Sequence, residues 1–378
     1  MKHRSILLLA PGALLGLLAL ILAMMPAIVQ ASDDSFIGEF HHIQTLASTV
    51  PANGDVNPYG IVTVPTTIGN LKRGNILISN FNAVSNLQGT GTTIVQITPK
   101  GAVSVFAQLS ADELNGACPG GVGLTTALVA LQRGWVIVGS LPTSDGTSAT
   151  AQAGCLIVLN SWGHPVETFA GGAINGPWDM TALDRGENAS LFVTNVLNGT
   201  VAANGNVVNR GTVIRINLDV PWQGHGKPER ESTTVIGSGF PERTDPAALV
   251  IGPTGVGLSD GTLYVADSLD NRIAAISDAA DRTTSAHTGK TVTTNGQLND
   301  PLGLTIAPDE HILTVNGNDG KIVETTRDGE QVAHKLLDNT SAPPALPGAG
   351  CLFGLTIIPG GEGVYFVDDC TNTLNALK

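Results

Sequence analysis

Aromatic residues are scarce in this sequence. Nine Phe, four Trp and three Tyr make up 4% of its 378 residues, so a core has to be assembled mainly from Val, Ile, Leu and Ala. Charged residues are few as well, at 13%, and no basic cluster occurs along the chain. That argues against nucleic acid, whose binding rests on Lys and Arg neutralising phosphates, and equally against docking on anionic lipid. Only four cysteines are present, with no Cys-x-x-Cys pair and no Cys/His grouping, which argues against a zinc or dithiol centre. There is no Gly-x-Ser-x-Gly elbow and no phosphate-binding loop. Beyond residue 31 no segment has the length and apolarity of a membrane span.

What is abundant is turn chemistry. The 46 glycines and 21 prolines are spread along the chain, with 42% apolar residues between them, a composition of many short elements joined by tight turns. The first residues stand apart. Lys2 and Arg4 precede an apolar stretch from Ser5 to Val29, and Val29-Gln30-Ala31 places small residues where a signal peptidase reads. Residues 1–31 are therefore expected to be a signal peptide and 32–378 the exported body. The alternative is an uncleaved anchor, against which stand the interruptions at Pro11, Gly12, Gly16 and Pro26. No cysteine marks a lipoprotein site there. Without Lys2 and Arg4 the net charge goes from −13 to −15, in keeping with solubility outside the cell.

The body repeats. Four β-prone residues, usually followed by Asn or Asp and a turn, recur six times: Ile76 to Asn80, Trp135 to Gly139, Leu191 to Asn195, Leu263 to Asp267, Ile312 to Asn316 and Val364 to Asp368. Such short apolar runs with turn residues on their flank read as buried strands. Ahead of five of them stands Gly plus an aliphatic residue: Gly60-Ile61, Gly123-Leu124, Gly255-Val256, Gly303-Leu304 and Gly354-Leu355; the third copy has Asp179-Met180 instead. Proline at a strand's first residue, as at Pro58, Pro177, Pro253 and Pro301, is tolerated, and glycine lets backbones crowd near an axis. A third strand is expected after each copy (93–98, 155–160, 212–217, 271–277, 321–326, 373–378). A fourth follows in five (103–109, 165–169, 232–236, 291–294, 331–337).

The sixth unit runs out after its third strand, while residues 36–47 alternate and have no unit of their own. The expected fold is therefore all-β: a six-bladed β-propeller whose last blade is closed by the N-terminal strand, leaving no open edge at the seam. A seventh blade is the alternative if 219–250 hides one; that stretch is read as a fourth strand flanked by loops.

Pro253-Thr254-Gly255-Val256, then Asp260 to Ser268 and Asn271-Arg272-Ile273, resemble an NHL repeat, less sharply echoed in blades five and six. The resemblance implies a six-bladed propeller over roughly 36–378. It spans scaffolds, ligand-binding ectodomains, lyases and metal-dependent lactone hydrolases, so the fold alone selects no function. Propellers of the SMP-30/gluconolactonase group use an Asp in a Tyr-x-x-Asp-Ser setting, which Tyr264 to Ser268 matches, so the likeness implies a catalytic and metal-binding Asp267. The same group uses Asn before a first-strand glycine and an early Glu. Here Tyr59, Val122, Thr254, Leu302 and Phe353 precede those glycines, and no matching Glu comes before blade one.

Four cysteines allow three pairings. In a propeller the turn after a second strand lies on the side where the first strand begins, so the within-blade pairs Cys118–Cys155 and Cys351–Cys370 are expected, consistent with an oxidising compartment. On that same face Asn80, Asn195, Asp267, Asn316 and Asp368 offer oxygens of the kind that suit Ca²⁺ or Mg²⁺; the alternative is that each bonds its own turn. Tyr59, Trp178 and Phe353, with Asp179 beside them, are candidates to line a pocket for a small apolar or sugar-like ligand, or else to pack between blades. The histidines show no metal spacing: His3 lies in the leader, His41 and His42 fall on the closing strand, and the other five on turns or outer positions.

Two functions of different class follow. One is a secreted or periplasmic ligand- or partner-binding module, monomeric, acting through the channel-mouth face on a small molecule or protein. The other is a divalent-metal-dependent hydrolase or lyase at the same mouth, centred on Asp267.

Overall fold

The computed structural model describes residues 35–114, 117–246, 248–340 and 344–378; the expected signal peptide, 1–31, lies outside the described residues. Each sequence repeat forms one antiparallel sheet, and there are six. Blade four is representative, with strands Pro253–Ser259, Thr262–Asp267, Arg272–Ile276 and Lys290–Thr294 in consecutive order. The other first strands are Val56–Thr63, Leu124–Ala130, Pro177–Asp184, Pro301–Ile306 and Leu352–Ile357. Second strands such as Ile312–Asn316 and Val364–Asp368 are buried at every position. A strand covered on both faces has no solvent side to alternate toward, so it reads as a continuous apolar run. The core is accordingly a series of aliphatic layers between blades.

Blade six takes its outer strand from the other end of the chain. Ile43–Ser48 pairs antiparallel with Thr373–Leu377, from Ile43 opposite Leu377 to Ser48 opposite Thr373. The closing strand is shorter than the expected 36–47, and His41 and His42 precede it. Residues Ile37–Glu39 form a 3-10 turn instead, fastened to blade five. The buried Glu324 carboxylate accepts the Phe36 and Ile37 N–H groups and the Ser35 hydroxyl, each at 2.9 Å.

The first-strand glycines serve the close approach near the axis. A β-carbon on Gly303 would overlap the Phe353 carbonyl oxygen of the next blade, and one on Gly354 would overlap that of Tyr59. Blade two departs from the expected alignment. Leu124 pairs with Ser140 as Pro58 does with Asn80, so Gly123 precedes its strand and Thr126 holds the place of Gly60. Ser140, rather than Gly139, is thus blade two's counterpart of the Asn/Asp strand ends.

Blade three has a fifth strand. Its fourth strand, Glu229–Asp245, runs 17 residues with several register shifts against Val208–Asp219, then turns back through Leu249–Ile251. The stretch 219–250 hides no seventh blade.

The disulfides are Cys118–Cys155 and Cys351–Cys370, with Cα atoms 5.4 and 4.9 Å apart. Among the described residues no helix is long and apolar enough to cross a membrane.

Candidate functional site

The Asn and Asp residues that end the second strands are all buried, and each is tied to chain close by. The Asn80 amide donates to the Thr49 carbonyl at 3.0 Å, and the Asn195 oxygen accepts the Asn175 N–H at 3.0 Å. The Asn316 amide donates to Gln297 O at 2.8 Å and to Asp319 Oδ1 at 2.9 Å. Asp368 accepts the Thr371 N–H at 3.0 Å. In blade two the Ser140 hydroxyl donates to Gly121 O at 2.9 Å and accepts the Gly123 N–H at 3.0 Å.

Asp267 has a strong partner. Arg272 donates to its Oδ2 from Nε at 3.0 Å and Nη2 at 2.7 Å, charge-assisted bonds that join the end of the second strand to the start of the third. Burial pushes the Asp267 carboxyl up to about 6 while Arg272 pulls it down. Arg272 is the arginine of the NHL-like Asn271-Arg272-Ile273 segment, so the sequence contained the partner five residues on.

The polar atoms these side chains leave free differ in kind. Asn80, Asp267 and Asn316 each leave one oxygen without a hydrogen bond, but Asn195 leaves its NH₂ unpaired, a donor that a cation would repel. Among the described residues, acidic, His and Cys groups gather in threes at two places only, neither of which contains Asp267. One is Asp368 with the sulfurs of the Cys351–Cys370 disulfide. The other is Asp309, His311 and Glu324, a candidate metal-binding group whose Glu324 already holds the N-terminal segment.

The axis on this face is filled by aromatic side chains. Tyr59 stacks on Phe353 with centroids 3.8 Å apart and on Phe81 at 4.5 Å, and Trp178 lies 6.4 Å from Phe353. All four are at most 4% exposed. The blade-three return packs Ala248 and Leu249 into the same cluster, with Leu249 held at φ 63°, a left-handed conformation costly for a residue with a β-carbon. The space left between Tyr59, Trp178 and Ala248 is about 10 Å³, no more than a water requires. Carboxyls ring this plug. Burial raises Asp369 to about 8, with Asp368 repelling it, and raises Asp300 to about 6, with Asp245 repelling it. Burial and then Asp369 and Asp245 raise the Tyr59 hydroxyl.

Beneath the plug the downstream halves of all six first strands enclose an axial channel of about 280 Å³. Val62, Thr181, Leu258 and Ile306 at its far end are part-exposed, so the channel meets solvent opposite the Asn/Asp ring. Asp179 is its one ionisable lining residue. It occupies the place where blades one, four, five and six have glycine, and its Oδ2 accepts the Val256 N–H of the next blade at 3.0 Å. Burial raises its carboxyl to about 7, against hydrogen bonds from the Met180 and Val256 backbone. Of the four residues expected to line a pocket, Tyr59, Trp178 and Phe353 thus come together in the plug, while Asp179 faces the channel. Its only sequence signal was the replacement of Gly by Asp in one repeat.

No protein-family model matches the sequence, and no curated protein does. Solved structures do resemble it. The gluconolactonase XC5397 from Xanthomonas campestris is 13% identical with a TM-score of 0.52, over 89% of this chain and 88% of that one. A luciferin-regenerating enzyme is 12% identical with a TM-score of 0.50, over 89% and 94%. Virginiamycin B lyase from Staphylococcus aureus gives a looser likeness, 16% identical with a TM-score of 0.48, over 89% and 98%. The fold is a six-bladed β-propeller. At such identities the likeness extends to the fold and not to the chemistry.

Proposed function

We propose that the protein is an extracytoplasmic binding module that takes a small amine into its axial channel. The observation that carries this reading is Asp179, a single carboxyl at the inner end of the channel, where the Tyr59–Phe353 plug closes it. Near neutral pH a carboxyl raised to about 7 is only partly ionised. An ammonium group beside it would favour the charged form, so binding and ionisation reinforce one another. Threonines such as Thr126 and Thr305 in the lining supply hydroxyl oxygens for the remaining N–H groups. The volume lies at the small end of ligand pockets. Calorimetry with a panel of small primary amines tests the reading: saturable binding that Asp179→Asn removes supports it, and a panel of amines without heat of binding counts against it.

The leader-like residues 1–31, the acidic body and the two disulfides support export. The N-terminal residue of the protein recovered from the periplasm or medium, read by mass spectrometry, checks both export and cleavage after Ala31. The module is proposed to act as a monomer, which its sedimentation mass checks.

A hydrolase or lyase is the second reading, and the same carboxyl favours it. A group titrating near 7 is suited to general acid–base work, which moves the catalytic assignment from Asp267 to Asp179. A lactone and ester panel with and without chelator would separate the readings. Turnover lost in Asp179→Asn supports catalysis. The Ca²⁺ or Mg²⁺ expected at the Asn/Asp ring would draw on the unpartnered oxygens of Asn80, Asp267 and Asn316.

A further inference from the structure

A second cavity, of about 460 Å³, lies where the hairpins between first and second strands of blades one to three meet. Each hairpin brings one arginine: Arg73, Arg133 and Arg185. These are far apart in sequence, and they converge in a body whose net charge is −15 once Lys2 and Arg4 are excluded. The opposing acid in the lining is Glu187, whose side chain is 82% exposed and so well screened by water.

The arginines differ in their bonding. Arg133 is fixed: Nη1 donates to Val220 O at 2.7 Å, Nη2 to Glu187 Oε1 at 3.2 Å, and its guanidinium lies 4.8 Å from the centroid of Trp222. Arg73 and Arg185 are exposed, and among the described residues their guanidinium groups have no hydrogen-bond or ion-pair partner. Trp222 is 54% exposed, yet its loop is pinned on both sides. Trp135 Nε1 donates to Pro221 O at 2.7 Å, and Gln223 Nε2 to Gly134 O at 2.9 Å. A partly bare indole is thus held rigidly beside two unpaired forks.

We propose that this pocket binds a carboxylate borne on a six-membered ring, with Arg73 and Arg185 taking the carboxylate and Trp222 the ring. Guanidinium forks match a carboxylate's two oxygens in plane, and a pre-fixed aromatic surface loses little entropy on binding. Nothing in this depends on the axial channel.

Glucuronate and benzoate serve as probes of a sugar ring and an aryl ring, with methyl glucoside and benzyl alcohol as their neutral counterparts. Calorimetry on the exported protein should show saturable binding of at least one acid, weakened by added salt, with its neutral counterpart about tenfold weaker or worse. The double variant Arg73→Gln/Arg185→Gln, at exposed positions, should bind at least about tenfold more weakly, and Asp179→Asn should bind as wild type. The proposal is overturned if neither acid saturates, if the double variant binds undiminished, or if Asp179→Asn removes binding, which would place the ligand in the channel.

Discussion

Tyr59 of blade one and Phe353 of the adjoining blade six lie face to face beside the propeller axis, centroids 3.8 Å apart and planes 16° from parallel. In a chain with so few aromatics, this pair plugs the axis with Phe81 and Trp178. Phe353→Ala should lower stability by about 3–5 kcal/mol, the usual cost of emptying a buried aromatic site, and Phe353→Leu by clearly less. Urea denaturation followed by tryptophan fluorescence checks both, and equal costs would mean that the loss comes from the ring contact and not from the volume left empty.

The buried carboxyls set the pH dependence. Asp369 is raised to about 8, and Asp179 and Glu242 to about 7, by burial foremost. Unfolded carboxyls titrate near about 4, so between there and about pH 8 the folded chain holds protons that the unfolded chain has released. The stability from these groups is fully present below the unfolded value and lost as pH rises through the folded one. The melting temperature should therefore be higher at pH 5 than at pH 8, with Asp369→Asn flattening the difference. A melting temperature that rises with pH over this interval refutes the account.

Removing either disulfide by paired Cys→Ser substitution should cost about 2–4 kcal/mol. Cys118–Cys155 closes a separation of 37 residues and Cys351–Cys370 one of 19. Nearly a doubling of loop length makes the first worth about 0.6 kcal/mol more. Comparing the denaturation midpoints of the two double variants tests the order.

Glu324→Ala should destabilise by about 2–4 kcal/mol, because the Phe36 and Ile37 N–H groups lose a charged acceptor. Glu324→Gln, which keeps one acceptor oxygen, should recover part of the loss. Hydrogen exchange at Ile37 reports the clamp directly: protection unchanged in Glu324→Ala would show that the segment is held by other contacts.

The sequence made the ring legible because each blade repeats one buried run, such as Ile312–Asn316, at a spacing set by the strand itself. Within-blade cysteine pairing followed from that topology. The cap did not. Glu229–Asp245 carries bulges that break the two-residue period, so only its middle, 232–236, reads as a strand and the rest reads as loop. Asp267 illustrates a different limit. The Tyr264-to-Ser268 resemblance speaks of catalysis, whereas whether Arg272 turns inward onto the carboxylate is decided by folding. Asp179 directly follows Trp178 in the sequence, but adjacent residues on a strand point to opposite sides. One joined the plug and the other the channel.

The joint between the closing strand and blade six also dictates when the molecule can finish folding. The Thr45 hydroxyl donates to Asn375, 330 positions later in the chain, so during synthesis Ile43–Ser48 emerges long before its partner exists. Until Thr373–Leu377 arrives, the early strand is an unpaired edge open to foreign strands, and the Glu324 clamp, itself late, cannot yet hold it. Contacts of such separation are formed slowly. The interval between first emergence and final closure is therefore the protein's period of greatest exposure to misassembly, and a chain truncated before its last strand should be left with its ring ajar.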